Sequence, residues 1–150
     1  MTTKRKAWIF DVDGTLADIE PFLHHIKKTP KDFDAFHADA INAELKPETK
    51  QLYCDAWRDG FDIIVVTARM EKHRAHTSYW LTKKGIAREA LFMRPNRDYR
   101  PDYEIKSEIL DQIEKVWDVI HAVDDNPKVI AIWESRGIPT TKIGTWDGNH

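Results

Sequence analysis

Several things are scarce or missing in this sequence. Cysteine occurs once, at Cys54, so no disulfide can close within the chain and no CxxC pair exists to hold zinc. The role left to it is that of a buried, inert thiol, and nothing points to an oxidising compartment. Long hydrophobic runs are also missing. After MTTKRK only four apolar residues precede Asp11, too few for a signal segment or a membrane span. The expectation is a cytoplasmic protein with no membrane partner. Neither sign of charge is in excess, the net being -2, which excludes the strongly basic footprint of a non-specific duplex binder. Any polyanion must be met by a local patch. There is no internal repeat, no low-complexity tract and no GxxxxGK[ST] phosphate loop, so P-loop kinase chemistry has no seat here.

What is present suffices for a core. At 150 residues, 41% hydrophobic and 32% charged, the chain is the size of one ordinary domain, expected to span 1–150. Residues 6–10 and 61–66 ("FDIIVV") are short apolar, β-branched or aromatic runs, the pattern of strands buried on both faces of a parallel sheet. Residues 90–93, 119–123 and 140–143 are weaker runs of the same kind. Between them lie helical patterns with recognisable ends. Residues 47–59 begin at Pro47, put Leu52, Tyr53, Ala56 and Trp57 on one face and stop at Gly60. Residues 71–84 stop at Gly85. Residues 101–117 carry Ile105, Ile109, Leu110 and Ile113 at helical spacing behind the acidic first-turn residues Asp102 and Glu104. Residues 127–136 end at Gly137. Strands alternating with helices predict an α/β doubly wound, Rossmann-like parallel sheet with helices on both faces. Residues 18–46 interrupt the rhythm. They are too long for an ordinary loop and aromatic enough to pack, so a small inserted cap or lid is expected there, beside the end of the first strand.

The chemistry starts at "AWIFDVDGTLAD". Asp11 and Asp13 follow the first strand at its carboxyl end, where open α/β sheets bind ligands. Two carboxylates held close raise each other's proton affinity unless a cation intervenes, so the pair suits a hard metal ion, acid-base work, or both. A calcium EF-hand loop is excluded, because Gly14 stands fourth and Phe22 twelfth where that loop needs glycine sixth and glutamate twelfth. The second strand runs into Thr67 and Arg69 ("VVTAR") and the fourth into Asp124 and Asp125 ("AVDDNP"). Lys106 lies near the start of the intervening helix.

Asp11-x-Asp13-Gly14-Thr15, Thr67, Lys106 and Asp124-Asp125, in that order, resemble the four motifs of the haloacid dehalogenase superfamily of phosphotransferases. Within it the likeness is to the 3'-phosphatase domain of bacteriophage polynucleotide kinase-phosphatase. Residues 10–17, Thr67 with Arg69, Asp102 with Lys106, and residues 123–125 stand at the matching motifs, over about residues 6–143. The kinase half of those enzymes has no counterpart, and the arginine the family carries soon after its first motif is replaced by His24, His25 and Lys27.

The resemblance implies a sheet in the order 3-2-1-4-5. It also implies a magnesium-dependent phosphomonoesterase in which Asp11 is the nucleophile and Asp13 the general acid-base. Gly14 lets the chain turn and Thr15 braces it. Mg2+ is expected on Asp11, the Asp13 carbonyl and the Asp124-Asp125 turn, either member of which could be the ligand. Thr67 is expected to hold a phosphoryl oxygen and Lys106 to supply charge, with Asp102, four residues before it on one helical face, steadying the ammonium. Arg69, Arg94, Arg97 and Arg100, with Tyr99 and Tyr103, read as a basic-aromatic rim for a nucleic-acid strand. His25 is a candidate phosphate contact, and His24, His25 and His37 lack the companions of a zinc site. The expected substrate is a phosphorylated nucleic-acid end, most like a 3'-phosphate, with a functional link to a separate kinase or ligase. A mononucleotidase, a small-metabolite phosphatase and a non-catalytic phosphate-binding module are the alternatives.

Overall fold

A computed structural model describes residues 3–148. Five strands, β1 (Arg5–Phe10), β2 (Asp62–Met70), β3 (Ala90–Arg94), β4 (Trp117–Asp124) and β5 (Thr140–Lys142), form one sheet in the order β3-β2-β1-β4-β5. Every pairing is parallel, so the architecture is the one the sequence predicts. Side chains alternate across a strand, and both faces of this sheet are covered. Thus Ile64 and Val66 face one core with Ile105, Ile109, Leu110, Val129 and Trp133. Their neighbours Ile63 and Val65 face the other, with Tyr53, Ala56, Trp80 and Leu81. A strand buried on both sides has no polar face to show, which is why "IIVV" (residues 63–66) reads as an unbroken apolar run. Each such side chain contributes roughly 1.5–3 kcal/mol by leaving water.

The helices that cover the sheet are α3 (Pro47–Arg58), α4 (Arg74–Lys83), α5 (Asp102–Ile113) and α6 (Pro127–Ser135). Helix α3 turns Thr49, Tyr53 and Ala56 inward and leaves Trp57 exposed, a rotation of the expected face. Helix α5 buries its isoleucines as predicted but stops at Ile113, and β4 begins at Trp117. Trp117 therefore starts a strand. Its indole donates to Asp62 Oδ2 (2.9 Å) at the end of the sheet away from the carboxyl ends, and the ring is half-buried.

Residues 18–46 fold into two short helices, α1 (His24–Lys27) and α2 (Phe33–Asp39), with 3-10 turns at Glu20–Phe22 and Ala40–Asn42. Asp32 caps α2 by accepting the Ala35 N–H at 2.9 Å. The segment leaves and rejoins the fold through a short stem. Asp18 N donates to Glu44 O (2.9 Å) and Lys46 N to Leu16 O (2.8 Å), and the Trp80 indole fixes Ala43 O from α4 (2.9 Å).

Candidate active site

The polar residues of interest gather at the carboxyl ends of β1, β2 and β4. Asp11 N donates to Val123 O (3.1 Å), carrying the β1–β4 pairing one residue beyond the strand. The chain then closes a tight turn, with Leu16 N on Asp11 O (3.3 Å) and Ala17 N on Val12 O (2.9 Å). Gly14 stands in this turn at φ +81°, and a Cβ there would lie 2.0 Å from Asp125 Oδ2. Glycine is required twice over, for the left-handed backbone and for the close pass of β1's turn against β4's. Gly14→Ala is therefore expected to push the Asp125 carboxylate out of place. Loss of at least tenfold in divalent-ion affinity by calorimetry, on a chain that still folds, is the expected result, and unchanged affinity would contradict it.

Asp11 is held on both oxygens. Oδ2 accepts from Thr15 Oγ1 (2.9 Å) and Oδ1 from Lys106 Nζ (2.9 Å). The same ammonium donates to Asp124 Oδ2 (2.9 Å). Asp124 is fully engaged, because Oδ1 also accepts the N–H groups of Asp125 (2.9 Å) and Asn126 (3.1 Å), and Oδ2 the Trp133 indole (3.4 Å). Asp125 is less committed, its carboxylate reaching Thr15 Oγ1 at 3.5 Å. Ligand oxygens of Asp11, Asp124 and Asp125 lie within 4.8 Å of one another.

Three buried carboxylates against one ammonium leave excess negative charge. Burial, then Asp124, pushes Asp11 up to about 7 despite Lys106. Burial, then Asp11 and Asp124, pushes Asp125 up to about 9. Burial works against the Lys106 ammonium, but Asp11 and Asp124 outweigh it and hold the proton on. The cluster is thus short of positive charge and offers only oxygen donors, which fits a hard divalent cation.

Asp13 behaves differently. Burial alone would raise it, but the Arg69 guanidinium holds it below the ordinary carboxylate range. Arg69 grips it with two bonds, Nε to Oδ2 (2.9 Å) and Nη2 to Oδ1 (2.5 Å), and donates a third to Thr77 Oγ1 (3.0 Å). The β2–β3 register shifts between Thr67 and Met70, an irregularity of the kind that re-aims side chains beside active sites. Thr67 is buried there, accepting the Arg69 N–H on Oγ1 (3.2 Å).

A cleft of about 860 Å3 opens over Asp11, Asp13, Thr67, Arg69, Lys106 and Asp125. Several sequence expectations fail at its edges. Arg94 is buried and donates to Ala68 O (2.8 Å), Asp98 O (2.7 Å), Arg100 O (2.6 Å) and Asp102 Oδ1 (2.6 Å). It braces the loop after β3 and offers no free charge to a strand. Asp102 consequently pairs with Arg94 and not with Lys106, whose neighbours are Asp11 and Asp124. Arg100 is neutralised by Asp98 and Glu108. Arg97 is exposed at φ +62° and is not among the cleft residues. His25 also lies outside them, its Nε2 on Asp39 Oδ2 (2.5 Å). Tyr99 remains, 80% exposed on the cleft's rim, with Phe33 of α2 at 52%. One cleft residue for which the sequence showed only that it lacks the companions of a zinc site is His37, buried in α2. Nothing in the sequence sets it apart from His24 and His25 of the same insert.

Residues 5–147 match the model of the polynucleotide kinase PNKP phosphatase domain family. The chain belongs to that family. This PNKP-type phosphatase domain is similar to the chain in the Pnkp1/Rnl/Hen1 complex at 27% identity and TM-score 0.83, with 98% of the present chain and 48% of that chain covered. It spans about half the length of that protein. It also resembles the class C acid phosphatase of Bacillus anthracis with tungstate bound (18% identity, TM-score 0.71, 98% and 71% covered). A third likeness is CbbY from Rhodobacter sphaeroides in complex with phosphate (13%, 0.63, 99% and 89%). The last two likenesses are of fold. Among the described residues no helix is long and apolar enough to cross a membrane.

Proposed function

We propose that this domain removes the phosphate from 3'-phosphorylated nucleic-acid ends through a phospho-aspartyl intermediate on Asp11. The observation that carries the reaction class is the buried Asp11–Lys106–Asp124 chain set opposite the Arg69–Asp13 pair. It offers a nucleophile fixed on both oxygens and a proton carrier of its own. Asp11 attacks phosphorus as the P–O3' bond breaks, and the departing oxygen takes a proton from Asp13. Asp13 then removes a proton from the water that attacks the acyl phosphate, releasing inorganic phosphate and the free Asp11 carboxylate. Thr67 and Arg69 meet the phosphoryl oxygens. As Arg69 turns to the phosphate dianion its hold on Asp13 weakens, and Asp13 can take up the proton it must donate.

Mg2+ would be held by the Asp11 and Asp125 carboxylates and the Asp13 carbonyl, where it would supply charge against the phosphoryl group. Asp124, with every oxygen engaged, fixes Lys106 and the turn that aims Asp125.

We further read residues 18–46 as a lid, because Phe33 and His37 reach the cleft from it. The setting we infer is cytoplasmic, with a separate kinase or ligase acting on the same ends. Similarity to the chain of an RNA repair complex supports that link.

For the polymer reading the support is the family match and the two exposed aromatics, Tyr99 and Phe33, that two separate segments bring to the cleft. The arginine rim contributes little of its expected charge, so stacking on Tyr99 and Phe33 replaces it as the main grip. Phosphate release from matched 3'- and 5'-phosphorylated oligonucleotides and 3'-mononucleotides tests this. The 3'-phosphorylated oligonucleotide should have the highest kcat/KM. Tyr99→Ala should lower that value about tenfold, since a stacked base contributes roughly 1–3 kcal/mol, whereas Arg97→Gln should stay within about twofold of wild type. A mononucleotide that does as well as the oligomer would replace this reading with a nucleotidase.

A further inference from the structure

His37 occupies an unusual position for a residue of an inserted helix. It is 8% exposed yet belongs to the wall of the cleft that holds Asp11 and Asp13. Its ring is wedged edge-on against Phe36 (5.0 Å between centroids, 71°) and tilted against His73 (4.4 Å, 48°). His73 Nε2 lies 3.6 Å from Asp34 Oδ1, and Lys72 Nζ 3.0 Å from the same oxygen, so the second imidazole is itself braced. The ring is fixed in place, and its Nδ1 is buried with no hydrogen-bond partner. Leaving a buried polar atom unpaired costs about 1–3 kcal/mol, a cost expected where a ligand completes the bonding. Burial foremost pushes the imidazole down to about 4, with Asp13 opposing and Arg69 adding to the shift. The ring is thus neutral at ordinary pH, with one donor and one acceptor nitrogen, and it shares the cleft wall with Asp13.

That proximity has a chemical meaning. In the reaction proposed above, on which this inference rests, Asp13 protonates the oxygen that leaves phosphorus. For a 3'-phosphate that oxygen is on the third ribose carbon, and the adjacent carbon carries a hydroxyl in RNA and none in DNA. A hydrogen-bonding ring on the wall of the cleft that also holds Asp13 is therefore placed to meet the one sugar substituent that separates the two polymers. We propose that His37 is a specificity-determining residue that hydrogen-bonds the 2'-hydroxyl of the terminal nucleotide, so that ends bearing a ribonucleotide 3'-phosphate are the preferred substrates.

The test uses one oligodeoxynucleotide 3'-phosphate whose final nucleotide is ribo, 2'-deoxy or 2'-O-methyl, so that a single substituent changes. The wild type should favour the ribo end about tenfold in kcat/KM over the deoxy end, as sites built to bind a hydroxyl reject analogues lacking it. The 2'-O-methyl end, bulkier and without its donor, should fall below the ribo end. His37→Phe keeps an aromatic ring against Phe36 and His73 but has no polar atom, and should bring the ribo-to-deoxy ratio to within about twofold of one. His37→Gln, with an amide donor and acceptor, should retain part of the preference. A wild type indifferent to the sugar overturns the inference, and so does His37→Phe with its ratio intact. If His37→Phe fails to fold by circular dichroism, the wild-type series and His37→Gln still decide. Equal release of 3'-phosphate from both sugars defeats this inference alone, whereas release only from 5'-ends defeats the proposed function beneath it.

Discussion

Replacing Asp11 by asparagine is expected to lower phosphate release at least about a thousandfold while leaving the fold as stable as before, or more so, when divalent ions are removed. The activity loss follows from the amide, which cannot attack phosphorus and offers the metal a weaker ligand. The stability result follows from the charge cluster. Without a metal, Asp11, Asp124 and Asp125 share one ammonium, and burial already drives Asp11 up to about 7. The neutral side chain removes a like charge from this group and still leaves Lys106 its bond to Asp124. Thermal unfolding in chelator and with Mg2+ provides the check. The wild type should gain more from Mg2+ than the variant, since only a ligand bound to the folded state raises stability. A variant with activity within tenfold of wild type would end the nucleophile assignment. One that melts far lower in chelator would mean the carboxylates are not in conflict.

Lys106 should behave in the opposite way. Lys106→Met keeps an unbranched chain in the same space but strands Asp11 and Asp124 without a cation in a buried site. Breaking a buried ion pair on one side typically costs about 3–5 kcal/mol. For a domain of this size that is a fall in Tm of roughly 6–20 °C, in addition to a loss of turnover that Mg2+ does not restore. The pairing predicts its own rescue. Adding Asp124→Asn to Lys106→Met should recover part of the lost stability, because the second change removes a charge the first left unpaired. Strictly additive losses would mean that the two side chains touch without sharing energy.

The legible parts of this molecule are those where one residue type answers one physical demand. β2 could be read because the middle of a strand covered on both faces, Ile63 to Val66, must be apolar. Asp11, Asp13, Gly14 and the Asp124-Asp125 turn could be named because each follows the end of an apolar strand, and Lys106, which lies on α5, because its place in the chain order resembles the family's motifs. Arginines were the opposite case. Arg94, Arg97 and Arg100 look alike in sequence, yet one is a buried brace, one lies outside the cleft and one is neutralised by two carboxylates. Partner choice among Asp98, Asp102 and Glu108 depends on backbone placement that no spacing rule contains. Asp102 shows the same limit. It lies four residues before Lys106 on one helix, but Lys106 points inward to Asp11, and the nearer cation for Asp102 comes from another strand. His37 was invisible as a cleft residue because its position depends on how residues 18–46 fold back over the sheet.

Arg94 also bears on how such a site can change over evolutionary time. By tying Ala68, Asp98, Arg100 and Asp102 together from beneath, it isolates the tip of the loop after β3 from the reaction centre. Tyr99, 80% exposed, sits on a platform whose shape does not depend on its side chain. Mutations there can be sampled freely, one at a time, without disturbing the carboxylates below, and a descendant could acquire a new clientele of phosphate esters while its chemistry is inherited intact. A change at Arg94 itself would let the loop drift and unsettle both together, which makes this arginine the point where innovation in substrate range is separated from damage to the catalyst.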